Sequence, residues 1–379
     1  NSSIENLKRI DINDLLSRNI VKPKSELLSN AINDFVVCVT GAGGSIGSEL
    51  CLQILKLKPK KLIVIDNSEY NLYALKENFL QFKDIEIRSF LGDIKNSNFL
   101  RNIFSQQNVD IIFHAAAYKH VPLVESNPIS GILNNVFATK VLCDMSILFK
   151  IKKFILISSD KAVRPSNVMG ATKRLAELVI QAYAKDIDDN PSNYSLPIKF
   201  AMVRFGNVLD SSGSVVPLFK KQITAGGPVT ITDSRVIRYF MTIKEASQLV
   251  IQASSMTKGG DVFLLDMGKP VSILELAKQL IKLSGLSVKD KNNSKGDIEI
   301  INIGLRPGEK LYEELLIDAN ALPTEHPLIF RAEERLILKD ELLSELEKLK
   351  SNINENKSVE KTLEILNKLV PEWSREIKN

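Results

Sequence analysis

From residue 35 onward the chain alternates short apolar runs with amphipathic segments, and that alternation leaves few folds open. Phe35 to Val39, Lys61 to Ile65, Ile85 to Phe90, Ile111 to His114, Phe154 to Ile157 and Ile198 to Val203 read as buried strands of about five residues. Between them Ser48 to Leu57, Ser97 to Gln106 and Asn134 to Phe149 read as amphipathic helices. Strict alternation of strand and helix builds a parallel sheet covered on both faces. The expected fold class is therefore α/β, a Rossmann-like doubly wound parallel sheet, with a smaller C-terminal substrate-binding domain.

The remaining punctuation sets the expected organisation. Residues 1–34 are polar, with Leu7, Ile10, Ile12, Leu15 and Leu16 giving short apolar patterns, and read as lead-in helices. Residues 35–205 carry the alternating pattern. Across 206–330, Gly226, Gly227, Pro228, Gly259, Gly260, Gly268 and Pro270 break shorter elements, as in a substrate-binding region partly interleaved with the sheet. Lys289 to Gly296 reads as an exposed loop. The tail at 331–379 carries two leucine stripes, Leu342, Leu343, Leu346 and Leu349, then Leu363, Ile365, Leu366 and Leu369, expected to pack as helices on the domain or on a partner subunit.

Composition narrows the class. The 379 residues are 44% hydrophobic and 25% charged, which suits a globular protein rather than a disordered one. A net charge of +5 from 50 basic and 45 acidic residues is spread along the chain, so a solvated mixed surface is expected and nucleic acid is not. Cys38, Cys51 and Cys143 lie in apolar segments without CxxC spacing and read as buried thiols, with no metal site implied. No apolar run is long enough to span a membrane, and the chain as given reads as soluble.

The first strand ends in Thr40-Gly41-Ala42-Gly43-Gly44-Ser45-Ile46-Gly47, followed by a helix. In such a turn Gly41 permits the sharp bend, Gly44 lets the backbone approach a pyrophosphate, and Gly47 lets the helix pack on the strand, with the helix N-terminus facing the anion. Gly43, Ser45 and Ile46 complete the loop. Asp66 ends the second strand, where a carboxylate accepts from both adenosine ribose hydroxyls and repels a 2′-phosphate, so NAD is favoured over NADP. Asp93, in Gly92-Asp93-Ile94, can accept from the adenine amine or serve as a turn or helix cap. Ala115, Ala116 and Ala117 leave room for a cofactor at the sheet edge. Lys119 and His120 follow, His120 either contacting substrate or bonding locally. Asn134 and Asn135 open the next helix, where one caps and Asn135 braces the site.

Ser158-Ser159-Asp160-Lys161 closes the fifth strand, and Met169 and Lys173 follow four residues apart on one helix face. The order TGAGGSIG, GDI, HAAAYKH, NN, SSDKAVRPSNVMGATK, VRFGNVLDSSGSVVPLF and RPGEKLYEEL resembles the extended short-chain dehydrogenases/reductases that act on nucleotide sugars. Within them it resembles the large UDP-N-acetylglucosamine 4,6-dehydratases of the WbpM and PglF type, over about residues 35 to 330. Met169 stands where most of the superfamily carries a Tyr, and a thioether cannot handle the proton that a phenol does. It belongs to the subgroup's pattern.

The resemblance implies an NAD-dependent reaction in three stages: hydride removal from sugar C4, loss of water across C5/C6, and hydride return to C6, with no net oxidation. It implies Asp160 as the acid for the leaving C6 hydroxyl, Lys161 as the base for the C5 proton, Ser159 bonding the C4 oxygen, and Lys173 on the nicotinamide ribose. The alternative for Asp160 and Lys161 is a surface ion pair. Met169 then reads as an apolar filler that also shapes the pocket. For the UDP moiety, Asn207 can bond a phosphate or sugar, Ser214 a backbone-rich loop contact, and Val216 and Pro217 an apolar wall for uracil. Arg238 and Arg306 can pair with the diphosphate or with carboxylates of their own domain. The resemblance further implies a homodimer or higher homo-oligomer, and a longer parent whose membrane segment, absent from this chain, holds the enzyme at the cytoplasmic face of the inner membrane. Other readings are a nucleotide-sugar 4-epimerase, a C5-inverting dehydratase, and a non-enzymatic NAD-binding module.

Overall fold

The computed structural model describes residues 21–314, 321–355 and 358–373. The lead-in positions Leu7 to Leu16 lie outside them. Strands β1 (Val36–Thr40), β2 (Lys61–Asp66), β3 (Glu86–Leu91), β4 (Ile111–His114), β5 (Lys153–Ile157) and β6 (Lys199–Arg204) fall on the apolar runs read above, within about one residue at each end. Among the described residues they belong to a nine-stranded sheet ordered Ala321–Pro323, Ile329–Ala332, Asp261–Leu265, β6, β5, β4, β1, β2, β3.

Every pair from β3 across to Asp261–Leu265 is parallel, and the last two strands turn antiparallel at the edge. The registers Thr40 with Ile65 and with His114, and Ile157 with Val203, set the carboxyl ends of the central strands level. The order reverses at β1, whose neighbours β2 and β4 are reached by chains running opposite ways, and such a switch point opens a crevice beyond the strand ends.

The chain divides into two compact units that do not follow contiguous stretches. The larger takes Lys22–Phe205, Ser247–Asp266 and, among the described residues, Glu314, 321–355 and 358–373. Residues 247–266 therefore lie with the sheet rather than with the rest of the 206–330 region. The reason is pairing: Asp261–Leu265 is an apolar strand buried along its length beside β6.

One helix organises this unit. Val168–Asp189 is buried at every residue from Val168 to Ala184, so it is an internal helix rather than a surface amphipath. Asn167 caps it, its side-chain oxygen accepting from Gly170 N at 2.8 Å. The tail helices Lys339–Asn354 and Val359–Leu369 lay Leu342, Leu346, Leu349, Ile353, Leu366 and Leu369 into the core shared with Leu175, Leu178 and Val179. They are thus part of the larger unit.

The smaller unit comprises Gly206–Ala246 and Met267–Glu313 among the described residues. Val229–Ile231, Ile298–Asn302 and Val288–Lys289 form a parallel three-stranded sheet, on which the helices Val215–Thr224 and Ile273–Leu283 pack through Val216, Phe219, Ile223, Leu276 and Leu280. Among the described residues no helix is long and apolar enough to cross a membrane. The three cysteines are free and buried.

Candidate active site

The glycine turn after β1 is built so tightly that side chains are excluded from it. Gly41 sits at φ 64°, and a Cβ there would come within 2.5 Å of Ala116 N, while one at Gly47 would lie 2.0 Å from Gly41 O. The turn is thereby seated against Ala115–Ala117 at the end of β4. Gly44 is exposed and opens the helix Ser45–Lys56, which begins at the anion-favouring pole. Asp66, 8% exposed, accepts from Gly43 N at 2.8 Å and from Ser68 N at 2.9 Å, one bond on each oxygen. Both oxygens keep a lone pair for further donors.

Asp93 behaves as a turn residue. Its oxygens take Lys95 N and Lys95 Nζ, each at 2.9 Å, and although burial pushes its pKa up, these bonds outweigh it and hold the carboxyl below its usual range. Asn96, not Asp93, caps the following helix, and the Ile94 side chain lies in the core.

Beyond β5, Ser158 N donates to Val203 O at 2.8 Å and Asp160 N to Phe205 O at 3.1 Å, so the strand end is held to β6 through the turn itself. The turn Asp160–Ala162 is a single 3₁₀ loop capped by Ser159, whose oxygen accepts from Lys161 N at 3.2 Å while its hydroxyl donates to Asp160 Oδ1 at 2.9 Å. Lys161 Nζ lies 3.1 Å from the same oxygen. This is no surface ion pair: the Asp160 side chain is 0% exposed, and its Oδ2 is buried without a hydrogen-bond partner. Gly170 admits the turn, since a Cβ there would lie 2.2 Å from Lys161 O.

Met169 is 2% exposed within the hydrophobic core. Lys173, one turn on, is also buried and donates from Nζ to Ile157 O at 2.6 Å, at the end of β5. Burial pulls its pKa down to about 8, against which the Glu177 carboxylate acts.

Asn134 and Asn135 do not open a helix. They lie in a π-helical turn, Leu133–Phe137, inside a helical run that begins at Pro128, and both are buried. Asn135 clamps the loop after β4, accepting from Tyr118 N at 2.8 Å and donating to Tyr118 O at 3.0 Å and Thr172 Oγ1 at 2.9 Å. Its carbonyl accepts from Thr139 Oγ1, which contacts His114 Nε2 at 3.0 Å, and His114 Nδ1 meets Thr40 Oγ1 at 2.7 Å. Burial and the charge of Lys173 lower the His114 pKa to about 3, so the ring is neutral. Sequence reading took His114 only as a strand end. Its place between Thr40 and Thr139 depends on strand order, which residue spacing does not carry. Lys119 and His120 are exposed; partial desolvation and then the neighbouring charge, Lys161 for Lys119 and Lys119 for His120, lower both.

In the smaller unit the expected contacts divide. Asn207 lies in the short strand Asn207–Val208 paired with Phe240–Met241, and Ser214 precedes the helix Val215–Thr224 with its hydroxyl buried and without a partner. Pro217 is half-buried. Val216 is not an exposed wall: it is 0% exposed, because its place in that helix turns it into the core beside Phe219. Arg238 is committed within its own unit. Its guanidinium donates to Lys310 O at 2.7 Å, Ile237 O at 2.8 Å and Leu311 O at 3.1 Å, and lies 3.4 Å from Glu309. It therefore pins the loop that carries Arg306, which is exposed. Among the described residues no group of His, Cys, Asp and Glu could hold a metal ion.

Residues 37–334 match the model of a family described as polysaccharide biosynthesis protein. The chain is 44% identical over 368 residues to the capsular polysaccharide biosynthesis protein CapD of Staphylococcus aureus, covering 96% of this chain and 58% of that protein's length. It is 34% identical to a UDP-glucose 4-epimerase of Rickettsia massiliae, over 75% of this chain and 78% of that one. It is 32% identical to the inverting UDP-N-acetylglucosamine 4,6-dehydratase of Campylobacter jejuni, over 74% and 77%. The solved structure of Pen from Bacillus thuringiensis superposes with a TM-score of 0.71 at 36% identity, over 81% of this chain and 92% of that one. The glycine turn, the Ser159-Asp160-Lys161 loop and these likenesses converge on one assignment: the chain belongs to the polysaccharide biosynthesis protein family, within the extended short-chain dehydrogenases/reductases.

Proposed function

We propose that the chain is a nucleotide-sugar 4,6-dehydratase that uses NAD to convert UDP-N-acetylglucosamine to the UDP-4-keto-6-deoxy sugar. The observation that carries this reading is the orphaned, fully buried Oδ2 of Asp160 beside Lys161. A buried carboxylate oxygen left without a donor is costly, and such atoms persist where they serve chemistry. The glycine turn and Asp66 fit a dinucleotide: a backbone cradle at a helix N-terminus and an acceptor for ribose hydroxyls.

A nicotinamide held there supplies the hydride acceptor and donor. The protein supplies the proton traffic. Asp160 and Lys161 stand in contact at 3.1 Å, the one a candidate acid and the other a candidate base. As C4 is oxidised, its hydroxyl proton passes to the Asp160 carboxylate, which becomes the acid of the next step. Lys161, as the free amine, then takes the C5 proton, Asp160 protonates the C6 hydroxyl as it leaves as water, and Lys161 returns its proton to C5 as hydride reaches C6. Ser159, whose hydroxyl donates to Asp160 Oδ1, accepts from the C4 hydroxyl and relays its proton. Lys173, charged below about pH 8, adds positive potential beside the nicotinamide ribose. Met169 seals that region against water.

Incubating the protein with UDP-N-acetylglucosamine and NAD should give a product lighter by one water without added reductant, read by mass spectrometry. An unchanged mass with inversion at C4 would establish an epimerase, the second reading, which the Rickettsia relative supports. Product NMR in heavy water distinguishes retention from inversion at C5.

A further inference from the structure

Behind the candidate site lies a charge cluster that the reaction scheme does not use. Glu177, one turn after Lys173, is fully buried and accepts from Ser158 Oγ at 2.6 Å, from Arg204 Nε at 2.8 Å and Nη2 at 2.6 Å, and from Arg174 Nη1 at 3.3 Å. Arg204 binds Glu334 in the same forked manner at 2.5 and 2.7 Å, and Arg174 reaches Glu334 at 3.3 Å and Glu372 at 2.8 Å. Both arginines are 0% exposed. The two buried guanidinium groups thus meet three carboxylates, of which Glu372 is also paired outward with Arg335 at 3.2 Å.

We propose that Glu177 is a positioning residue for the candidate site, fixing the Ser158–Lys161 turn through Ser158 and keeping the Lys173 ammonium charged, and that Glu334 and Glu372 make the C-terminal segment part of that device. Three geometric facts carry it. Ser158 is the residue through which Glu177 reaches the turn, and it is hydrogen-bonded at both its backbone nitrogen and its hydroxyl. Arg204 is followed by Phe205, whose carbonyl accepts from Asp160 N, so the same guanidinium braces the other side of the turn. Lys173 faces Ile157 O on β5, His114 on β4 and Glu177 on its own helix, and Glu177 is the one anion among these. Because His114 is neutral, Glu177, four residues on along the same helix, is the carboxylate that offsets the buried Lys173 charge.

The role in turnover rests on the proposed function; the effect on the Lys173 proton does not. The test is a lysine-selective carbon-13 NMR titration, with the Lys173 signal assigned by its loss in Lys173→Met, alongside the alkaline limb of the pH–rate profile. In Glu177→Gln the Lys173 midpoint should fall by about one pH unit or more, and the alkaline limb should move with it. Ser158→Ala should lower turnover and leave the midpoint in place. If Glu177→Gln fails to fold, Glu334→Gln replaces it, with a smaller fall in the same direction. A folded Glu177→Gln or Glu334→Gln with an unmoved midpoint overturns the proposal. A shifted midpoint without any dehydratase turnover upholds it and instead sinks the assigned reaction.

Discussion

Two buried clusters of charge, around Glu177 and around Asp160, stand on either side of one strand end and are finished in opposite ways. Glu177 accepts four hydrogen bonds from Ser158, Arg174 and Arg204, and the arginines are closed off in turn by Glu334 and Glu372. Asp160 collects Ser159 and Lys161 on one oxygen and nothing on the other. A saturated cluster has no bonding capacity left and acts as a clamp. An unsatisfied one gives up stability and keeps an atom for a reacting group.

The sharpest break in this comparison is Asp160→Asn. It should lower turnover by about 10²–10⁴-fold. The urea midpoint should stay near the parent's, because the lost oxygen had no partner. Marked destabilisation with retained turnover would make Asp160 a structural group. Arg204→Met is the mirror test: it leaves Glu177 and Glu334 buried without their main partner and should cost about 3–5 kcal/mol by urea denaturation. A loss below about 1 kcal/mol would erase the distinction between clamp and active cluster.

A smaller, graded effect follows from Lys173. Its pKa of about 8 places the charged form below that pH and the neutral form above it. Turnover should therefore be flat on the acid side of this group and fall about tenfold per pH unit once it deprotonates, as read from a pH–rate profile. A profile level up to pH 10 would remove Lys173 from the reaction. The least effect on stability is expected at Arg306, which is exposed: Arg306→Ala should change unfolding free energy by less than about 0.5 kcal/mol. Calorimetry with UDP should nevertheless show weaker binding if this guanidinium meets the diphosphate, whereas Arg238→Met should loosen the 306–311 loop first.

Much of the larger unit was legible residue by residue. Strands β1 to β6 follow from their apolar runs, and the glycine turn follows from Gly41 and Gly47, because both are local consequences of side-chain periodicity and backbone sterics. Asp160 and Lys161 could be picked out because they are adjacent in the chain. Val216, expected as a wall, turns into the core, and for Arg238 packing chose between two open readings: polar or apolar character says what a side chain can touch, and only packing decides whether that partner is a ligand, a core or a neighbouring loop. Asn135 bonds the Tyr118 backbone and Thr172, but its location within a π-helical turn escaped a reading based on helix starts.

By itself, then, the amino-acid sequence determined the fold class, the glycine turn and the adjacent Asp160–Lys161 pair, each encoded within a few residues where spacing dictates geometry. Tertiary structure decided the rest. Glu177, Arg204, Glu334 and Glu372 are separated by tens to hundreds of positions, and their charges become one cluster only when the tail helices close over Val168–Asp189. Burial is what gives such charges their force, and burial is a property of the folded chain, not of any residue in it.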